Sequence, residues 1–347
     1  MNIPSVYLFV TSMLIAVADA QVTVYSDVAG FDTINVTGTG GTGSKLTFAA
    51  AEFLQPAVYT GFASAVGSNT LTDAAATWAD DAYNGFNGSH YVEIVSVNGS
   101  TTGTGVGATR TIVATAAATK MLTLDAALPA GMAVPVGYRV VSHWTLASIF
   151  GSTNMAGLQG GTALSADQVQ LWNGREHDSY YYQTAGLGGT GWRKTGDQST
   201  NAGNTVIRPD QSVIIKRVAA APLALVVKGW VKTGRALANI VQGFNFVPNP
   251  YAKAMTLASC GLYTGDSTTG IAGGSLASAD QVLLWSGSSY VTFYYQTSGL
   301  GGVGWRKVGM QSTDASGTTL AAGSSIIVRR MGTDGFTWTI PQHPTAF

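Results

Sequence analysis

The segment Asp167 to Thr200 recurs as Asp280 to Thr313 at a constant offset of 113 with no gap, and 22 of its 34 positions are identical. A chain that carries one segment twice must provide for two like units. The identities are mostly Trp, Tyr, Gly and short apolar residues, and no identical set of acids, histidines and nucleophiles sits among them. What was duplicated reads as a scaffold. The repeat is longer than this block: each copy opens on Thr-Leu-Ala-Ser (Thr145 to Ser148, Thr256 to Ser259) and closes on an apolar strand ending in a basic residue and Arg, SVIIKR (Ser212 to Arg217) and SIIVRR (Ser325 to Arg330).

Within each copy the pattern is that of strands and tight turns. Gln168 to Trp172 reads as a buried strand, Asn173-Gly174 as the start of a hairpin turn, and Ser179 to Thr184 as the return strand. Three glycine runs match G-x-G-x-x-G, beginning at Gly38, Gly186 and Gly299. None leads into a clear helix, so they read as turns that need positive φ and not as dinucleotide loops. The fold class is therefore all-β: two tandem homologous β-sandwich or open-barrel domains, each leaning on its neighbour.

Between the first strands and the first copy, residues 61–142 change texture to short strands with polar turns, a small β-barrel or meander. Gly243 to Pro250 leads into Thr-Leu-Ala-Ser of the second copy, and Phe53 to Pro56 offers a weaker match upstream of the barrel. This places residues 21–60 with 143–218 as copy one, 61–142 as an insertion, and 219–347 as copy two. Insertions are tolerated where entry and exit lie close together on the surface. Residues 1–20 combine an apolar run from Val6 to Val17 with Ala18-Asp19-Ala20, the pattern of an export signal cleaved before Gln21. An uncleaved anchor is the alternative, although roughly 12 apolar residues fall short of the roughly 20 that span a bilayer.

Charged residues are only 10% of the chain, but 46% are hydrophobic, enough to bury a core, and the net charge is zero. No electrostatic footprint for nucleic acid is visible. Cys260 is the only cysteine, so no intrachain disulfide forms, and a buried inert thiol is expected.

The most specific candidate feature is aromatic: Trp172, Tyr180, Tyr181, Tyr182 and Trp192, matched by Trp285, Phe293, Tyr294, Tyr295 and Trp305. Because side chains alternate along a strand, Tyr180 and Tyr182 share one face and Tyr181 takes the other. A cross-strand ladder in the core is the main expectation. The functional alternative is a sugar-stacking platform built from Trp172, Tyr180, Tyr182, Trp192, Trp285, Tyr294 and Trp305. In Trp192-Arg193-Lys194 and its twin at Trp305, a structural role is the main expectation; the Arg faces away from the Trp, and stacking on a neighbouring ring is the alternative.

Glu176, His177 and Asp178 are the only acid–base cluster, and the second copy replaces them with Ser289, Tyr290 and Val291. No catalytic residue, cofactor or metal set is assigned. Histidines 90, 143, 177 and 343 are scattered, and the oxygen-rich turns at Asp197 and Asp266 read as Asx turns and not as calcium loops.

Taken together, Thr-Leu-Ala-Ser, Ala-Asp-Gln-Val-x-Leu-Trp, Tyr-Tyr-Gln-Thr, Gly-Trp-Arg-Lys and the closing strand, with Gly243 to Pro250 between the copies, resemble an uncharacterised family of exported β-rich repeat proteins frequent in verrucomicrobial-type bacteria. The resemblance spans nearly the whole mature chain and implies export to the periplasm, cell surface or medium. It carries no reaction or catalytic residue with it. The sequence thus points to a non-enzymatic exported protein with a structural or surface-interaction role, its partners being extracellular polysaccharide or other envelope proteins. A carbohydrate-binding module is the alternative, and a glycan-active enzyme using Glu176 comes third.

Overall fold

The computed structural model describes residues 29–50, 52–85 and 88–342; the leader, its cleavage site and His343 lie outside them. The regular structure of the described chain is almost entirely strand, in antiparallel sheets, with one helix of five residues, Leu146–Phe150. No described helix is long and apolar enough to cross a membrane.

The large sheet of the first copy is five-stranded, in the order Gly191–Lys194, His177–Gln183, Gln168–Trp172, Ser212–Arg217, Lys45–Ala50. Lys45–Ala50 joins it by pairing with Ser212–Arg217 across more than a hundred and sixty residues of sequence. The second copy builds the same sheet from Gly304–Lys307, Tyr290–Gln296, Gln281–Trp285, Ser325–Arg330 and Gly243–Pro248, with Met310–Asp314 added at one edge. Against each large sheet lies a small one. In copy one it is Ala29–Val36, Leu223–Val231 and Phe53–Leu54, so the first copy reaches past residue 218, where the sequence reading ended it; in copy two it is Ala236–Ile240 with Phe336–Ile340.

This pairing corrects one sequence correspondence. The counterpart of Gly243–Pro248 is Lys45–Ala50, since both pair with the closing strand of their copy. Phe53–Leu54 instead borders Trp230–Val231.

Each copy buries its core between its two sheets. Val169, Tyr180, Tyr182, Trp192 and Ile215 meet Val36, Leu225 and Val227 in the first; Val282, Phe293, Trp305 and Val328 meet Ile240, Trp338 and Ile340 in the second. The copies fill this space differently. Phe150 packs against Trp192 in copy one, with ring centroids 5.7 Å apart. The matching position in copy two is Gly261, where a Cβ would lie 3.0 Å from the Thr339 carbonyl oxygen, and Trp338 supplies the bulk from the strand where copy one has Leu225. Large and small have changed places across one interior, which conserves packed volume.

Ile214 and Ile327 face away from their own cores and are nevertheless buried. They lie where the two large sheets pack face to face through Ser212–Arg217 and Ser325–Arg330. The seam is reciprocal. Trp172 of copy one packs on Phe246 of copy two, and Trp285 of copy two packs on Phe48 of copy one, with Phe48 and Phe246 at matching registers. Such exchange of equivalent contacts is what an approximate two-fold relation requires.

The expected small β-barrel does not close. Its strands form an open seven-stranded sheet from Ala57–Ala63, next to Val136–Ser142, round to Ala65–Val66 at the other edge. It curls over its own apolar cluster, including Leu71, Ile94, Ile112, Leu122 and Tyr138. A buried ionic clamp ties it to the body: Glu93 takes Arg139 at 2.7 Å from its own sheet and the Lys232 ammonium from the linker before the second copy. Burial alone raises the Glu93 carboxyl, but Lys232 and Arg139 outweigh it and hold it down at about 2.

Candidate functional site

Four polar side chains identical in both copies, Asp167, Gln183, Arg193 and Arg217 with their twins, are engaged within their own copy. Asp167 accepts from Arg217 Nη1 at 2.5 Å and from the Val218 and Gln159 backbone N–H groups, each at 2.7 Å. Asp280 repeats this with Arg330 at 2.6 Å and with the Met331 and Ala272 N–H groups at 2.7 Å. Both carboxylates are fully buried, so these are structural knots that pin the closing strand to the loop before Gln168 or Gln281. Sequence reading missed them, although the signal was there: an identical Asp ahead of Gln-Val and an identical Arg ending each copy.

The twin glycine loops are held from inside. Gln183 Nε2 donates to the Leu187 and Gly189 carbonyls, and Gln296 Nε2 to those of Leu300 and Gly302. Arg193 donates to the Gly188 and Gly189 carbonyls, as Arg306 does to Gly301 and Gly302. Arg193 and Arg306 thus serve the structure through hydrogen bonds to carbonyls, the groups a tight turn leaves unpaired, in place of the alternative of stacking on a ring. At Gly188 φ is +79° and a Cβ would stand 2.4 Å from the Gln198 oxygen, so no other residue fits.

The aromatic candidates separate into two groups. Tyr180, Tyr182 and Trp192 lie in the first core and Trp305 in the second. Tyr294 is 2% exposed, with its hydroxyl donating to Gln296 Oε1. These five rings form no exposed row, because both faces of their strands are covered, one by the small sheet and the other at the seam or under the glycine loop. Of the seven proposed for sugar stacking, Trp172 and Trp285 are half-buried, at the two ends of the seam.

The acid–base cluster does not converge. His177 is wedged against Trp172 and Phe246 at 4.9 and 4.6 Å, and burial lowers its pKa. Asp178 pairs with Lys194 at 2.9 Å, and Glu176 is exposed at the turn. The carboxylates of Asp197 and Asp266 accept from their own turns, Asp197 from the Ser199 and Thr200 N–H groups and Asp266 from that of Thr268. Among the described residues no group of three or more His, Cys, Asp or Glu is arranged to hold a metal ion.

Open space collects around Trp172. Two adjoining clefts of about 330 and 470 Å³ share its ring, and with it Thr111, Asp125, Asn173, Arg208 and Gln211. The walls come from all three parts of the chain: Thr111 and Asp125 from the seven-stranded sheet, Arg208 to Gln211 from copy one, Phe246 from copy two. His143, 4% exposed, lines the cleft of about 330 Å³ and meets Thr111 Oγ1 at 3.2 Å through Nε2, while its Nδ1 has no hydrogen-bond partner. Burial, then the Arg208 charge and His90, push this imidazole down to about 3, so it is neutral at physiological pH. The sequence could not place Asp125 beside Arg208, because eighty residues and two sheets separate them.

Comparison of the chain with family models, curated proteins and solved structures finds no match.

Proposed function

We propose that this chain is an exported, non-enzymatic β-repeat protein with a structural or surface-interaction role at the cell envelope. One observation carries the reading: four polar residues retained in both copies, Asp167, Gln183, Arg193 and Arg217 with their twins, end on the protein's own backbone and on each other. Duplication that preserves such bonds preserves a shape. The leader-like first twenty residues support export. Fractionation with N-terminal sequencing tests it: a chain beginning at Gln21 in the periplasm, envelope or medium is expected, and an unprocessed cytoplasmic chain overturns export. Turnover of any glycan that is abolished by Glu176→Gln or Asp125→Asn overturns the non-enzymatic reading.

Carbohydrate binding is the second reading, and the clefts beside Trp172 are the observation that favours it.

A further inference from the structure

The duplication supplies an internal control for each end of the seam. Around Trp285 the matching cleft is smaller, about 250 Å³, and the positions of Arg208-Pro209-Asp210-Gln211 are taken by Ala321-Ala322-Gly323-Ser324. The Trp285 indole N–H is spent on the Leu46 carbonyl at 3.2 Å. The Trp172 indole N–H makes no hydrogen bond among the described residues, and its ring borders both clefts. One scaffold thus carries an end lined by apolar and small hydroxyl residues and an end furnished with charged and amide groups.

The furnishing has a definite chemistry. Arg208 sits 3.4 Å from Asp210 with roughly half its side chain in solvent, and Asp125 accepts the Thr111 N–H with the rest of its carboxylate open to the cleft side. Guanidinium and carboxylate stand together, so neither cations nor anions are favoured as such. What the set offers is alternating donors and acceptors beside a half-exposed indole. That is the requirement of a neutral ring bearing hydroxyl groups, whose C–H face packs on an aromatic ring while its hydroxyls take both donors and acceptors. The buried His143, whose Nε2 meets the Thr111 hydroxyl while its Nδ1 has no hydrogen-bond partner, adds a polar wall residue that the Trp285 end does not have. The clefts are open and continuous past Trp172, which suits a chain of sugars more than a single enclosed one.

We infer that the Trp172 cleft is a binding site for an uncharged oligosaccharide segment, with Trp172 as the stacking surface and Arg208, Asp210 and Asp125 as its hydrogen-bonding groups. The site goes beyond the scaffold role, which stands whether or not sugar binds. The test is affinity electrophoresis of the full chain in gels containing hydroxyethylcellulose, xylan, glucomannan or dextran, with polyanionic alginate as the charged comparison, followed by titration with the matching hexasaccharide. Retardation by a neutral polysaccharide is expected. Arg208→Ala and Asp125→Ala, both at exposed positions where folding is not at risk, should each weaken binding about tenfold, as loss of one charge-assisted hydrogen bond does. Trp172→Ala should abolish it, and Trp285→Ala should leave it unchanged. No retardation by any neutral polysaccharide, retention by alginate alone, or equal losses in the Trp172 and Trp285 variants would overturn the assignment.

Discussion

Trp172 and Phe246 belong to different copies of the repeat, yet their ring centroids stand 4.9 Å apart, and Trp285 and Phe48 return the contact at 5.3 Å from the opposite side. Each pair joins a hairpin of one copy's large sheet to the edge strand of the other's, so the two large sheets are bolted at both ends of their shared face.

If the bolts are equivalent, Phe246→Ala and Phe48→Ala should destabilise the chain by similar amounts, roughly 2–4 kcal/mol each for a partly buried ring. A double-mutant cycle of Phe246→Ala with Trp172→Ala, read by urea unfolding, should show coupling of about 0.5–1.5 kcal/mol. Coupling indistinguishable from zero would mean that the rings touch without holding the copies together.

The buried Asp167–Arg217 pair makes an asymmetric prediction. Arg217→Met leaves a carboxylate uncompensated in the interior and should cost about 3–5 kcal/mol, whereas Asp167→Leu with Arg217→Met should cost less than the sum of the single changes. Arg330→Met should behave alike in the second copy. The unfolding midpoint of the four variants decides the matter, and additive losses would show that the charges act independently.

Glu52, 3% exposed, has its carboxyl raised to about 8, first by burial and then by the nearby Asp32 carboxylate. Its ordinary value is 4.5. Between these values the folded chain binds a proton that the unfolded chain has released, so stability contributed by this group falls as pH rises from about 4.5 through about 8. Glu52→Gln should flatten that slope and be more stable than the parent above pH 8. Urea midpoints at pH 5, 7 and 9 measure it, and parallel profiles for parent and variant would remove Glu52 as the cause.

Cys260 is fully buried, and burial pushes its thiol up to about 11. Its Sγ donates to the Leu257 carbonyl at 3.2 Å. A thiolate-selective reagent should therefore label the native chain at the rate of global or local opening and label the urea-unfolded chain at once. Immediate native labelling would place the thiol nearer the surface than its packing under Trp338 allows.

Much was decided by the sequence alone. The repeat announced two like β units, because 113-residue spacing and period-two apolar runs leave few other ways to bury so many rings. The hairpin at Asn173-Gly174 and the lone inert thiol were likewise readable, since each depends on local turn chemistry or on residue count. How the rings on both strand faces would be covered was not readable: Tyr180 and Tyr181 alternate faces, Tyr180 packs in the core between the two sheets, and the buried Tyr181 donates its hydroxyl to Gln183, which holds the glycine loop. The open seven-stranded sheet, the true partner of Gly243–Pro248, the Asp167–Arg217 knot and the furnished cleft at Trp172 also belong to the tertiary structure. Each depends on pairings between residues far apart in the chain, and pairing at that distance is set by how surfaces meet and not by any pattern along one strand.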